Sequence, residues 1–245
     1  MRRNRTPGTG DEDRAVSEVL SFVLVFGIIM TSVAVLSMTG FQAMEGYQEG
    51  EQLRNGERAM DALADNFNDV LRYDAIDKRH GELSLREGTV TTGSGGTEIN
   101  VFVDGDPIGT KSAFSTVENE RVELGTFNYE YDSETIAYEG GGVVRASESG
   151  SVMLEDPLLT CRDDTAIVSL VQIDADSRSI QSSDGVGFTM RVEERNSATY
   201  GVSDDVSIEV EDTSYDRAWE SVEDDWNNCD ATQVQVTVVT VDIDY

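Results

Sequence analysis

The sequence predicts an α+β protein: a long N-terminal helix that crosses a membrane and continues outside it, followed by an extracellular antiparallel β-sheet domain. Three observations carry that expectation. Residues 19–41 hold no charged side chain. From Leu53 to Leu71, apolar residues recur at helical spacing between charged ones. From about Glu82 the apolar period drops from 3.6 to 2, the period of half-buried strands.

Composition bounds the function. With 48 Asp+Glu against 18 Lys+Arg the formal charge is −30, and Lys78 and Lys111 are the only lysines. A nucleic-acid partner is excluded, because nothing here neutralises a row of phosphates. Disorder is excluded as well, since 38% of the chain is hydrophobic and aromatics recur along it. An acidic, lysine-poor surface is the pattern of a protein adapted to a very salty medium, where the Debye length falls to about 3 Å at 1 M.

Residues 1–15 form the first segment. Arg2, Arg3, Arg5 and Arg14 outnumber Asp11, Glu12 and Asp13 there, in a chain otherwise dominated by carboxylates. Residues 16–41 form the second. A stretch of this length, free of charge from Val19 to Phe41, crosses a hydrocarbon core of about 30 Å at a rise of 1.5 Å per residue. A buried core helix and a secretory signal peptide each have a shorter apolar run than this one. The arginines before the span orient it with the N-terminus in the cytoplasm and everything after Phe41 outside. Residues 39–245 then carry the whole excess of negative charge.

The string Asp13-Arg14-Ala15-Val16-Ser17-Glu18-Val19-Leu20, opening a long hydrophobic helix, resembles the class III signal of archaeal type IV pilins and archaellins. DRAVSEVLSFVLVFGIIMTSVAVL is similar to the N-terminus of haloarchaeal pilin-like proteins, in agreement with the salt adaptation. The resemblance covers about 30 residues strongly and the rest only in its helix-then-sheet layout. It implies that a prepilin peptidase acts on the cytoplasmic side at Arg14, Ala15, Val16 and Ser17, cutting between Ala15 and Val16. It also implies that the freed helix packs against the helices of other pilin-like subunits. Glu18 stands third from Val16, whereas bacterial pilins place a glutamate fifth. A carboxylate at the edge of a span wants a partner, and the assembly role considered for Glu18 is to meet the α-amine of Val16 in an adjacent subunit; the alternative is a place among lipid headgroups.

Residues 42–75 are expected to extend the helix, with Leu53, Met60, Leu63, Phe67, Val70 and Leu71 on its buried face. Gly40, Gly46, Gly50 and Gly56 each cost up to about 1 kcal/mol in a helix interior, so a bend or a melted turn is expected among them.

Residues 82–245 form the β-rich domain. Strands are expected at Leu83 and Leu85; Ile99, Val101 and Val103; Phe127, Tyr129 and Tyr131; Val186, Phe188, Met190 and Val192; and Val206, Ile208 and Val210. Turns fall at 92–96, 104–107, 140–142 and 183–185. Ala166–Ile173, almost continuously apolar, is expected at the centre of the sheet. In the last strand Val234, Val236 and Val238 face one way and Val239, Val241, Ile243 and Tyr245 the other, which requires a bulge or cover on both faces. Thr213 to Asp216 reads as a capping box before a short helix that packs Trp219, Val222 and Trp226 onto the sheet.

Cys161 and Cys229 fall on the extracellular side and are read as a structural disulfide. A metal centre is not expected, because there is no CxxC and the only histidine is His80. Asp174-Ala175-Asp176 begins like an EF-hand, but Arg178 takes the next ligand position and Ser179 replaces the glycine. No nucleophile elbow, Walker loop, GxGxxG or HExxH is present, so neither catalytic residues nor a cofactor are expected. The expectation is a non-enzymatic, pilin-like structural subunit or minor pseudopilin of an archaeal cell-surface filament, anchored in membrane lipid before assembly. The rival is a membrane-tethered extracellular binding protein that never polymerises.

Overall fold

The computed structural model describes residues 10–84, 88–115, 117, 120–181, 185–226 and 229–245. Residues 1–9, Leu85, and Ser183 with Asp184 of one expected turn lie outside that set. The chain divides into two compact units, Met1–Gln52 and Leu53–Tyr245.

Helix α1 runs Gly10–Arg72. It begins six residues before Val16, because no breaker lies between them and Asp11, Glu12 and Asp13 suit the positive end of a helix dipole. The melted turn expected between Gly40 and Gly56 is absent: all these residues are helical. Four glycines spread over four turns weaken a helix without stopping its hydrogen-bond ladder. The helical extension also divides differently from the expected 42–75 segment, since Leu53 onward belongs to the β unit.

Within that unit the strands are β1 (Lys78–Ser84), β2 (Thr89–Gly93), β3 (Glu98–Val103), β4 (Asp106–Pro107), β5 (Val122–Glu123), β6 (Thr126–Tyr131), β7 (Glu134–Glu139) and β8 (Gly142–Ser147). There follow β9 (Gly150–Glu155), β10 (Leu158–Arg162), β11 (Thr165–Ile173), β12 (Arg178–Gln181), β13 (Gly185–Gly201), β14 (Val206–Asp212) and, after helix α2 (Asp216–Trp226), β15 (Gln233–Asp244). The sheet starts at Lys78, earlier than the apolar alternation. Lys78-Arg79-His80 is an edge segment whose polar residues carry no period-2 signal.

The strands form three sheets: β1-β13-β15-β11-β10, β12-β2-β6-β7-β8-β9 and β14-β3-β4, with β5 also on β3. Pairing is antiparallel except that β11 and β15 run parallel, Ala166 beside Val234 through Ile173 beside Val241. The expected antiparallel β domain is thus present, with one parallel pair inside it. The long connection through β12–β14 and α2 permits the crossover, and nearly continuous apolar runs such as Ala166–Ile173 are typical of strands with parallel neighbours. The central strand of this sheet is β15, not β11.

The phase flip has a simple cause. Val234, Val236 and Val238, with Val168 and Leu170 beside them, enter one core together with α2, β3 and β14. Val239, Val241 and Ile243, with Val171 and Ile173, enter a second core on the opposite face, formed with the end of α1, β6 and β7. Alternation continues unbroken; what changes halfway along is the face that is covered. The bulge in this sheet lies on β13, between Val192 and Glu194.

Of the expected face of α1, Met60, Leu63, Phe67 and Val70 are buried in the second core and Leu53 and Leu71 are half-buried against it, and Ala64 joins them. Phe67 packs edge-on against Phe127, Tyr138 and Phe188, with ring centroids 5.4–5.9 Å apart. At the end of α1, the Arg195 guanidinium on β13 donates to the carbonyl of Val70 and, at 3.3 Å, to that of Ile76. It thereby satisfies a carbonyl the helix itself leaves open.

Candidate functional site

The described part of the unit ending at Gln52 is a helix with no core. Between Val19 and Phe41 every large apolar side chain is 51–70% exposed, all round the helix. An 18-residue window reaches a mean hydropathy of 2.7, and among the described residues this is the one helix long and apolar enough to cross a membrane. The N-terminal apolar helix is the feature of a membrane anchor.

The backbone supplies its own hydrogen-bond partners, and so do its hydroxyls. Thr31 Oγ1 donates to Gly27 O at 2.7 Å, Ser32 Oγ to Ile28 O at 2.7 Å, and Thr39 Oγ1 to Val35 O at 3.0 Å. Polar groups satisfied this way are tolerated against hydrocarbon or another apolar helix. Phe22 and Phe26 stack one turn apart, at 6.2 Å.

The residues of the expected peptidase site lie in helical backbone: Arg14, Ala15 and Val16 are within α1, and Ser17 and Glu18 follow with exposed side chains. The side chains of Arg14, Ala15 and Val16 are outside the described set, so the geometry between Glu18 and Val16 is not drawn.

In the β unit, Cys161 on β10 and Cys229 after α2 form a disulfide, Cα to Cα 5.7 Å. The two tryptophans are core residues, Trp219 fully buried and Trp226 nearly so. The capping box forms differently from the expectation. Helix α2 begins at Asp216, which puts that residue in the first turn instead of the third position, and Thr213 Oγ1 accepts the Tyr215 N–H at 3.0 Å.

The chemistry-bearing residues do not converge. His80 lies on β1 with its Nδ1 2.8 Å from Thr189 Oγ1. Asp163, Asp164, Asp204, Asp205 and Asp224 are exposed, Asp176 faces Arg178 at 3.8 Å, and the side chain of Asp225 is not described. Among the described residues no group of three metal-ligating side chains occurs.

Sequence reasoning missed one buried carboxyl. Glu139, 2% exposed, accepts from Thr97 Oγ1 at 2.6 Å and from the Trp219 indole N–H at 3.2 Å; Thr97 Oγ1 also meets Thr213 Oγ1 at 2.7 Å. Burial pushes this carboxyl above the usual range, against hydrogen bonds from Thr97 and Trp219 that pull it down. The group joins β7, α2 and the loop before β3 through these hydrogen bonds and so reads as a structural hub. Its only sequence signal was a glutamate breaking an apolar run before a triple glycine.

Comparison with known proteins adds one finding. DUF7289, described as a family of unknown function, matches residues 14–244. No curated protein and no solved structure matches the chain.

Proposed function

The chain belongs to the DUF7289 family, and we propose that it serves as a pilin-like structural subunit or minor pseudopilin of an archaeal cell-surface filament. Removal of residues 1–15 by a prepilin peptidase leaves Val16 as the mature N-terminus. The apolar helix then leaves the bilayer and packs against its copies, exchanging lipid contact for helix contact. The β domain stands outside the cell, in a medium salty enough to screen its charge. No catalytic residue and no cofactor enters this scheme.

The observation that carries it is the N-terminal helix. Between Val19 and Phe41 its large apolar side chains are exposed on every side. Such a surface needs a cover, which lipid gives in the membrane and other apolar helices give in a filament. The resemblance of Asp13 to Leu20 to the class III signal adds the processing step.

Purifying surface filaments from the source cells and identifying their subunits tests the proposal. This chain is expected among them. Its confinement to the membrane fraction, in cells whose filaments lack it, supports a non-polymerising tether instead.

A further inference from the structure

The two cores leave part of one sheet face open. β11 and β15 turn Val168, Leu170, Val236 and Val238 into the first core, and on the reverse face the second core takes Val171, Ile173, Val239 and Val241. The part of that reverse face before Val171 and Val239 stays exposed. Register places Thr160, Ile167, Gln235 and Thr199 side by side across β10, β11, β15 and β13 as the middle row of this patch, and all four are exposed. The rows on either side add serine, threonine and glutamine, one leucine, one glycine and, at a corner, Arg162.

No residue of this patch is a carboxylate, in a chain where 48 of 245 residues are Asp or Glu. The nearest in sequence, Asp163 and Asp164, stand in the turn beyond its last row. What replaces charge is a set of hydroxyls and amides, each of which both donates and accepts. Such a face is complementary to itself, which is what a contact across a two-fold axis requires and what a face of carboxylates cannot offer. Ser197 and Thr237 show the pairing within one chain, their hydroxyl oxygens 2.9 Å apart. Ile167, 39% exposed, brings a large apolar side chain to the middle row. An apolar centre inside a polar rim is the anatomy of a protein interface.

We propose that this patch is a contact between two copies of the chain, packed face to face about a two-fold axis that passes beside Ile167 and Gln235. Copies that each carry a formal −30 repel one another through carboxylate-bearing surface, and here they meet without taking a carboxylate out of water. A glycan, the other partner suited to a neutral, hydroxyl-rich face, stacks on aromatic rings, and the patch holds none. Four strands about 4.8 Å apart and three rows about 6.8 Å apart span roughly 400 Å² per copy, below what a stable complex buries, so the contact is weak in dilute solution. Chains held in one membrane meet at a far higher effective concentration. The contact closes a pair by itself and does not depend on whether the N-terminal helix polymerises.

Cysteine cross-linking of the full chain, in detergent at molar salt, tests this. Gln235→Cys is expected to give a disulfide-linked species of twice the chain mass under mild oxidation, well above Ser133→Cys, an exposed control on another sheet. Ile167→Asp, which puts a carboxylate at the exposed centre, is expected to lower that yield roughly tenfold, while Ile167→Val keeps it and cooperative melting persists in both. A Gln235→Cys yield no higher than the control, in protein that still melts cooperatively, overturns the proposal. So does a yield that Ile167→Asp leaves unchanged, which assigns the pairing to the apolar helix. A cross-linked product of any other mass gives the face a different protein partner, and retention of the uncross-linked chain on a dextran column gives it a glycan; either result overturns the proposal too.

Discussion

Tyr138 donates its hydroxyl to Oδ1 of Asn68 at 2.9 Å, with both side chains almost wholly buried. Asn68 donates in turn from Nδ2 to the carbonyl of Gly141 at 2.7 Å, so one side chain of α1 grips the β7–β8 hairpin at its strand and at its turn. Burial pushes the Tyr138 phenol up, which keeps it a donor. Asn68→Leu leaves a hydroxyl and a carbonyl buried without partners and is expected to cost about 2–3 kcal/mol. Tyr138→Phe removes one partner and its bond together and is expected to cost about 1 kcal/mol. Denaturant unfolding in molar salt reads both; equal losses would contradict the clamp.

Gly56 tests the docking of α1. A Cβ there would stand 2.6 Å from Tyr129 Cε1 and 3.4 Å from Ile136 Cδ1, whereas at Gly46 and Gly50 nothing lies within 4 Å. Helix propensity alone favours alanine at all three by up to about 1 kcal/mol. Gly46→Ala and Gly50→Ala are therefore expected to raise helix stability, and Gly56→Ala to lower the melting temperature. A Gly56→Ala protein that melts higher than its parent would show that the Tyr129 ring moves aside freely.

Glu139 gives the fold a pH dependence with a definite sign. Its folded-state pKa is raised, chiefly by burial, so the protonated form is the one the fold favours. The stability it contributes is fully present below the ordinary glutamate value of about 4.3 and is lost as pH rises through the folded value. Asp61 and Glu155, also raised, act in the same direction. Glu139→Gln is expected to flatten the decline of melting temperature above pH 4–5 while keeping an acceptor for Thr97 and Trp219. An unchanged slope in the variant would mean that this carboxyl is not the source.

The disulfide ties the end of α2 to the edge strand β10 across 68 residues of sequence. In the chain-entropy account its loss costs about 4 kcal/mol. Cys161→Ser, Cys229→Ser and the double variant are expected to be destabilised alike, because each removes the same bond. Single variants much worse than the double would point to a harmful free thiol instead.

With a formal charge of −30, the chain is expected to depend on salt to screen its like-charged surface. Glu57 and Asp65 crowd Asp61 with like charge, and Asp65, Asp61 and Asp156 crowd Glu155, which Arg72 relieves in part. Diluting salt from molar to millimolar lengthens the Debye length from about 3 Å to beyond 30 Å. Cooperative melting is expected to be lost over that range; a constant melting temperature would show that the fold carries its charge unscreened.

Apolar period located most of these elements without any structure. Phe67 and Val70 announced the docked face of α1, and Val238 next to Val239 announced either a bulge or a strand covered on both faces, of which the second is found. Pairing direction did not show, because β11 and β15 present the same apolar pattern to a parallel or an antiparallel neighbour. The polar contacts that join elements were equally silent. Arg195 reaches Val70 across 125 residues, Asn68 reaches Gly141 across 73 and Trp219 reaches Glu139 across 80, separations over which a single sequence has no local pattern to reveal. The N-terminal helix was legible for the opposite reason, since composition alone gives it away. How α1 begins was not: helical backbone already runs from Gly10, so Arg14, Ala15 and Val16 fall inside it and not at its edge.

The central claim is that the apolar helix is a processed assembly element and not a fixed anchor. Intact-mass and N-terminal peptide mass spectrometry of the chain isolated from its native membrane or filaments tests it most directly. The account predicts a mature chain beginning at Val16; a chain that still begins at Met1 would contradict it.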